Sequence, residues 1–373
     1  MDDYTLPMKK IKQVTDFLET LAPLSYQESY DNCGLLTGQA DWEIKKILIT
    51  LDCTEEVVDE AIAKGCNLII AHHPIVFSGL KKLNGKTYVE RTIIKAIKHD
   101  IAIYAIHTNL DNVVTGVNAK ISAQLGLQHT KILDVKSGGL LKKLVVYVPK
   151  NHLAVVQEAI FNAGGGNIGH YSECSFFSEG VGTFKGNNQS NAFVGEKNTQ
   201  HHEPEYKLEV LLPAHCLNKA LQAVQLVHPY EEMAYDVLPI NNENPEVGSG
   251  MIGELPEALT ANDFLHHVKT SMNLQVIKFT PFDKLIKKVA VCGGSGSFLL
   301  GKAIAAQADA FVSADFKYHE FFDAENRLMI ADIGHYESEI FTINLLADKI
   351  SEKFPIFAVI LSNIHTNPIN YYF

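Results

Sequence analysis

Three short stretches bring imidazoles and carboxylates together in a pattern suited to metal. Ala71-His72-His73-Pro74 sets two histidines side by side. His107-Thr108-Asn109-Leu110-Asp111 places an aspartate four residues after a histidine, and Gly334-His335-Tyr336-Glu337-Ser338-Glu339 does the same with a glutamate. Imidazole suits Zn, Fe, Ni and Cu, whereas carboxylate suits harder ions and can bridge two of them. Two metals held about 3.5–4 Å apart need bridging oxygens and terminal nitrogens. Asp111 and Glu339 are candidate bridges, and His72, His73 and His335 candidate caps. His107 is the candidate proton shuttle, and Asp31, Asn32 and Asp52 are candidates to support the ligands or touch substrate.

Each stretch also has a plainer reading. A histidine at a strand end is commonly a satisfied polar residue. An i, i+4 His–Glu pair on a helix is commonly a surface pair worth a few tenths of a kcal/mol, about 0.2–0.5. Adjacent residues in a strand face opposite ways, so His72 and His73 would not serve one site from a regular strand. Pro74 resolves this: it restricts the preceding residue and lacks an N–H, so the strand ends at the histidines and both rings are released.

These stretches need a scaffold that delivers them to one place. Lys46 to Leu51, Asn67 to Ala71 and Ile101 to Ile106 are short β-branched apolar runs, hence buried strands. Thr54 caps a helix to Lys64 that Gly65 stops, and Thr87 to His99 and Val117 to Leu125 carry helical spacing. Strands alternating with helices predict a parallel α/β sheet, with chemistry at the strands' carboxyl ends. The last third repeats the rhythm. It has predicted strands at Val289 to Cys292, Phe311 to Ser313, Leu328 to Asp332 and Phe357 to Leu361. Its predicted helices are Asp263 to Ser271, Phe298 to Gln307, Phe316 to Asp323 and Ile340 to Ile350. The middle differs: strand-like Leu144 to Val148 and Lys207 to Leu212 flank a triple glycine and an Asn-rich run from Lys185 to Glu203, which predicts an inserted α+β module with a long loop. Gly248-Ser249-Gly250 is expected to be the linker back. The expected organisation is a first α/β half over 1–137, an insert over 138–246 and a second α/β half over 247–373. The two halves together form one layered domain around one site.

With these motifs in view, the chain resembles the Nif-three-like dinuclear-metal family, the GTP cyclohydrolase 1 type 2 homologues. Tyr30-Asp31-Asn32-Cys33-Gly34-Leu35, the three metal-type stretches and Thr366-Asn367-Pro368 carry the resemblance across nearly the whole chain. Family members often have Trp where this chain has Tyr30, so an aromatic is kept. The resemblance implies that His72, His73, Asp111, His335 and Glu339 bind two divalent ions (Zn, Fe, Mn or Ni, a choice that sequence does not make). It also implies a homo-oligomer, a toroidal hexamer with its metal sites facing the interior. Ile168-Gly169-His170-Tyr171, Cys174-Ser175-Phe176 and His228-Pro229-Tyr230-Glu231-Glu232 resemble the PII/CutA-like insert of longer members. His170 and His228 are candidate site residues within it.

Other signals weigh less. Gly169-His170-Tyr171-Ser172-Glu173 nearly repeats the motif at Gly334, but it follows a triple glycine rather than an apolar strand, so packing is expected. His201-His202-Glu203 reads as a solvated loop. Val291-Cys292-Gly293-Gly294-Ser295-Gly296-Ser297 is a glycine-rich turn that lacks both G-x-G-x-x-G and the Walker lysine. A tight turn is expected there, with a phosphate seat as the alternative. Cys33 and Cys292 have no neighbouring base that would make a catalytic thiol.

Bulk properties fit this reading. The chain has 373 residues, 46 % hydrophobic and 20 % charged, and a formal net charge of -11. It shows no Lys/Arg cluster of the kind nucleic-acid binders display, so no nucleic-acid partner is expected. The six cysteines form no C-x-x-C pair, which favours reduced thiols and a cytoplasmic setting. The N-terminus is not expected to be a signal peptide, and no membrane span is expected. The expected function is metal-dependent hydrolysis of a nucleotide-like or phosphorylated small molecule. The alternatives are a non-enzymatic metal-binding or metal-delivery scaffold, and a regulatory oligomer whose insert senses a ligand.

Overall fold

Unbroken apolar runs become the central strands. In the computed structural model, which describes residues 10–136, 138 and 140–372, β1 spans Gly34–Thr37, β2 Ile47–Thr50, β3 Leu68–Ala71, β4 Ala102–Ala105 and β5 Gln128–Val135. Then come β6 Leu141–Pro149, β7 Phe176–Lys185, β8 Gln200–Pro213 and β9 Tyr235–Ile240. The chain closes with β10 Gly248–Leu259, β11 Lys278–Phe279, β12 Ile286–Ser295, β13 Ala310–Ala314, β14 Met329–Asp332 and β15 Val359–Leu361. The N-terminal stretch before Lys10, read above for a leader, lies outside the described residues, as does Ser137 at the expected edge of the insert.

The chain divides into two compact units, one of Met1–Val135 with Pro245–Phe373 and one of Lys136–Asn244. The first is a mixed α/β unit with two sheets. One sheet has the order β1-β4-β3-β2-β15, parallel except for β1. The other has the order β11-β14-β13-β12-β10-β5, in which β12, β13 and β14 run parallel and the outer strands antiparallel. Each sheet borrows from the other end of the chain. C-terminal β15 pairs with β2, and N-terminal β5 pairs with β10.

All residues of β2, β3 and β4 are buried. Parallel strands covered on both faces read as continuous apolar sequence for this reason. Ile69 and Ile103 pack with Val57 and Val58 of the helix Glu55–Lys64 and with Ile93 of the helix Tyr88–Lys98. Each such side chain contributes about 1.5–3 kcal/mol through burial. The Thr54 side chain accepts from Val57 N–H, and Gly65 adopts φ 69 at the helix end, as expected of this start signal and this stop signal.

Two expectations are corrected. Gly248-Ser249-Gly250 is not a linker but the buried start of β10. A Cβ at Gly248 would run into the backbone of Asp134 on β5, so glycine serves close strand approach here rather than flexibility. The helix expected over Phe316 to Asp323 begins two residues later and is a 3₁₀ helix, Tyr318–Ala324.

The unit Lys136–Asn244 is a four-stranded antiparallel sheet of order β7-β8-β6-β9 with the helices Leu153–Asn162 and Leu217–Val227. Leu144, Val146 and Val148 alternate inward from β6 onto Val156, Ile160, Ala220 and Val224. The Asn-rich run shrinks to a loop over 186–199, because β8 already begins at Gln200.

Candidate metal centre

β3 ends at Ala71, and the next two residues leave the strand while their N–H groups still donate to Thr50 O and Leu51 O. The rings of His72 and His73 lie 4.9 Å apart with planes tilted 45°, so the bend brings both to one cluster rather than to opposite faces. β4 delivers His107, which precedes the short helix Thr108–Asp111 and so sets Asp111 on its last turn. β14 ends at Asp332, Gly334 takes φ 91, and the helix His335–Glu339 follows at once. His335 and Glu339 share a helix face, with His335 Nε2 3.2 Å from Glu339 Oε2.

These five residues converge. The ligand atoms of His72, Asp111 and Glu339 lie within 4.8 Å of one another, as do those of His73, His335 and Glu339. Glu339 belongs to both groups. A third group joins His72, His73 and His107, so the structure brings the shuttle candidate within ligand distance as well.

The surrounding hydrogen bonds fix which ring nitrogens face inward. His72 Nδ1 donates to Ile106 O at 2.8 Å, leaving Nε2 as a lone pair. That Nε2 lies 3.7 Å from Asp111 Oδ1 and 3.9 Å from Glu339 Oε1. Both His72 Nε2 and Asp111 Oδ1 are buried, with no hydrogen-bond partner among the described residues. His73 Nδ1 meets Asp52 Oδ1 at 2.8 Å, and its Nε2 meets Glu339 Oε2 at 2.9 Å. His335 Nδ1 meets Asp315 Oδ2 at 2.6 Å. His107 Nδ1 meets Asp31 Oδ1 at 2.9 Å, and Asp31 Oδ2 accepts from Thr108 N–H at 3.0 Å and from the Thr108 hydroxyl.

Electrostatics follow the geometry. Burial pushes the Asp111 carboxyl up to about 7, reinforced by the charge of Glu339. Burial would likewise raise Glu339, but hydrogen bonds from the imidazoles around it hold it well below the usual range. Burial alone would lower the pKa of His73, yet hydrogen bonds to Asp52 and Glu339 hold it at about 10. His335 is held at about 9 in the same way, by Glu339 and Asp315 against burial. Two carboxylates in one buried pocket crowd negative charge where a cation is wanted.

A cavity of ≈ 780 Å³ opens over these groups, walled by Tyr30, Phe77, Phe298 and Tyr336. The supporting residues fall in different places. Asp52 lines the cavity and accepts from Thr366 Oγ1 at 2.6 Å as well as meeting His73. Asp31 has a buried side chain behind His107. Asn32 does not reach this cluster. Its Nδ2 donates to Val76 O at 2.6 Å and pins the chain after Pro74.

The glycine-rich turn is explained by Glu339. A Cβ at Gly294, which has φ +59, would come within 2.5 Å of Glu339 Oε1. Its amide already donates to Ser338 Oγ, and that of Gly293 to Asn118 Oδ1. Two of the amides proposed for a phosphate seat are thus committed, which overturns that alternative for them. Neither cysteine is activated: burial and Asp31 push the Cys33 thiol up to about 12, and burial with Asp111 and Glu339 raises Cys292.

His170 is exposed beside the Ile168–Tyr171 bridge, and His228 is buried; both lie in the Lys136–Asn244 unit. Sequence reasoning missed Asp315, and it named Thr108 and Thr366 within motifs without giving either a role. Asp315 directly follows β13, so the strand-end rule that found His72, His107 and His335 would have found it too. Thr366 lies in the closing Thr366-Asn367-Pro368 motif that carried the resemblance, but nothing in the sequence tied it to Asp52.

Comparison with known proteins places this geometry. Residues 9–368 match the family model described as Duf34/NIF3 (NGG1p interacting factor 3). A Halalkalibacterium halodurans protein named GTP cyclohydrolase 1 type 2 homolog is 38% identical over 363 residues, covering 96% of this chain and 98% of its own length. A Bacillus subtilis protein of the same name is 37% identical over 366 residues, with coverage of 96% and 98%. The crystal structure of a Bacillus cereus protein related to NIF3 superposes with TM-score 0.85 at 37% identity, covering 98% of this chain and all (100%) of that one.

Proposed function

The chain belongs to the Duf34/NIF3 family, and from that membership and its buried donor set we propose a dinuclear divalent-metal protein that acts as a metal-dependent hydrolase on a nucleotide-like or phosphorylated small molecule. One observation carries the reading. His72 Nε2 and Asp111 Oδ1 are buried, turned to each other and unpartnered. A buried polar atom without a partner costs about 1–3 kcal/mol, and a shared cation is the economical way to satisfy a lone pair and a carboxylate oxygen together.

His72, Asp111 and Glu339 would hold one ion, and His73, His335 and Glu339 the other, with Glu339 between them. Asp111 lies in only one of these groups, which favours Glu339 over Asp111 as the bridge. When bound, the ions supply a water of lowered pKa and polarise the bond it attacks. Asp52 and Asp315 fix the rings of His73 and His335, while Asp31 holds His107 Nδ1 and leaves its Nε2 lone pair to take up or return a proton. The aromatic wall suits a planar heterocycle, in keeping with the cyclohydrolase name of the relatives. A cytoplasmic toroidal hexamer with a PII/CutA-like insert completes the proposal.

Elemental analysis after dialysis tests it, alongside a hydrolase panel run on the metal-loaded protein. Wild type should retain two equivalents, and His72→Ala and Glu339→Ala should lose metal. Full metal content in both variants overturns the ligand assignment. Exchangeable metal with no turnover on any substrate favours delivery over hydrolysis, a reading that the half-open His335 ring supports.

A further inference from the structure

The segment His228-Pro229-Tyr230-Glu231-Glu232 takes no part in the metal centre. Its tyrosine and glutamates line a second cavity, ≈ 420 Å³, inside the Lys136–Asn244 unit. The helix Leu217–Val227 ends at His228, whose Nδ1 accepts from Tyr230 N–H at 3.2 Å while its Nε2 donates to Tyr147 O at 3.0 Å. The ring is therefore held as one neutral tautomer and fixes the turn that carries Tyr230. From that turn the Tyr230 hydroxyl donates to Glu205 Oε1 at 2.8 Å.

Glu205 is the unusual group. It is 7 % exposed, a carboxylate standing on β8 within the cavity wall. Among the described residues its second oxygen, Oε2, takes no hydrogen bond. Room for it is built in, because a Cβ at Gly182 on neighbouring β7 would overlap Oε2. Phe184 and Phe193 flank Tyr230 with ring centroids 6.3 Å from it on either contact. Asn191 N–H donates to Glu231 Oε1 at 2.9 Å and so ties down the loop that carries Phe193. Glu231 and Glu232 add negative charge at the wall, against a single cation, Lys185.

A buried carboxylate with a spare oxygen, walled by aromatic faces, is chemistry for a cation with an apolar body. The carboxylate supplies the counter-charge, the ring faces attract the cation through their quadrupoles, and both effects strengthen where water is displaced. We propose that this cavity binds a small organic ammonium. The site is independent of the metal centre and stands whether or not the chain is a hydrolase.

Isothermal titration of the full-length protein with benzyltrimethylammonium tests the proposal, with benzyl alcohol and benzoate as neutral and anionic comparators. The cation should bind one per chain, at least tenfold tighter than the alcohol, and benzoate should not bind. Glu205→Gln still accepts from Tyr230 and should weaken cation binding tenfold or more. Phe193→Ala removes an exposed wall and should weaken it severalfold without disturbing the fold. His73→Ala should bind the cation as wild type does, which separates this cavity from the metal centre. No cation binding at millimolar concentration, equal affinity for the alcohol, or unchanged affinity in Phe193→Ala overturns the proposal. If Glu205→Gln fails to fold, Phe193→Ala and the alcohol comparison still decide.

Discussion

His72 Nε2 and Asp111 Oδ1 face each other across 3.7 Å, both buried and neither hydrogen-bonded. The two residues come from different strand ends, of β3 and β4, and reach this arrangement because Ile106 O has claimed the other nitrogen of His72. Among the described residues neither atom has a hydrogen-bond partner, and under the proposed reading a shared cation would satisfy both.

Metal should therefore stabilise the fold. Chelator treatment should lower the melting temperature, and re-addition of a divalent ion should restore it in a concentration-dependent way. Ion at about 100 times its Kd adds about 2.7 kcal/mol. A melting temperature indifferent to chelator and metal would contradict the pairing.

The sharing of Glu339 predicts unequal stoichiometry. Glu339→Gln should lose both ions, whereas His335→Ala should lose one, because the His72–Asp111–Glu339 group remains intact. Equal metal content in the two variants, read by plasma mass spectrometry, would argue against a shared carboxylate.

Gly294 leaves no room for a side chain. With φ +59 and Glu339 Oε1 2.5 Å from its would-be Cβ, Gly294→Ala should cost about 1–3 kcal/mol and reduce metal retention together. Gly301→Ala, where a Cβ meets nothing within 4 Å, is the control. Loss of stability with metal retention intact would show that the glycine serves the backbone alone.

Asp52 and Asp315 orient two imidazoles at 2.8 Å and 2.6 Å. Asp52→Asn and Asp315→Asn should each weaken metal binding by about 10–100-fold without abolishing it. Competition with a fluorescent chelator measures this. Unchanged affinity in both would remove these residues from the site.

The Lys136–Asn244 unit carries its own pH dependence. Burial first, and His152 with it, lower the pKa of His228 below 6.5 against the pull of Tyr147 O and Glu205. The unfolded chain then binds the extra proton first, so stability is full above 6.5 and falls as pH drops below it. His228→Asn should flatten that part of the curve of melting temperature against pH. An unchanged slope would mean that His228 stays neutral throughout.

Much of this was legible beforehand. Thr54 and Gly65 marked a helix to the residue, since capping and left-handed φ are local chemistry. That His72, His107 and His335 come together was legible because residues that follow parallel strands gather at one edge of the sheet. Asn32 was misplaced, since a side chain on a loop can turn to any neighbour, and it turned to Val76 O. Gly248 and Gly250 read as a linker because sequence does not distinguish glycine needed for freedom from glycine needed for closeness.

The amino-acid sequence by itself determined the local elements, the strand-end histidines and the break at Pro74, all set by interactions within a few residues. Only the tertiary structure decided that β5 and β15 would cross into the opposite sheets, that Glu339 would stand between two clusters of metal-type side chains, and that Asp315 and Thr366 would hydrogen-bond to residues of that site. Those outcomes depend on residues up to 314 positions apart, and packing rather than local propensity brings such partners together.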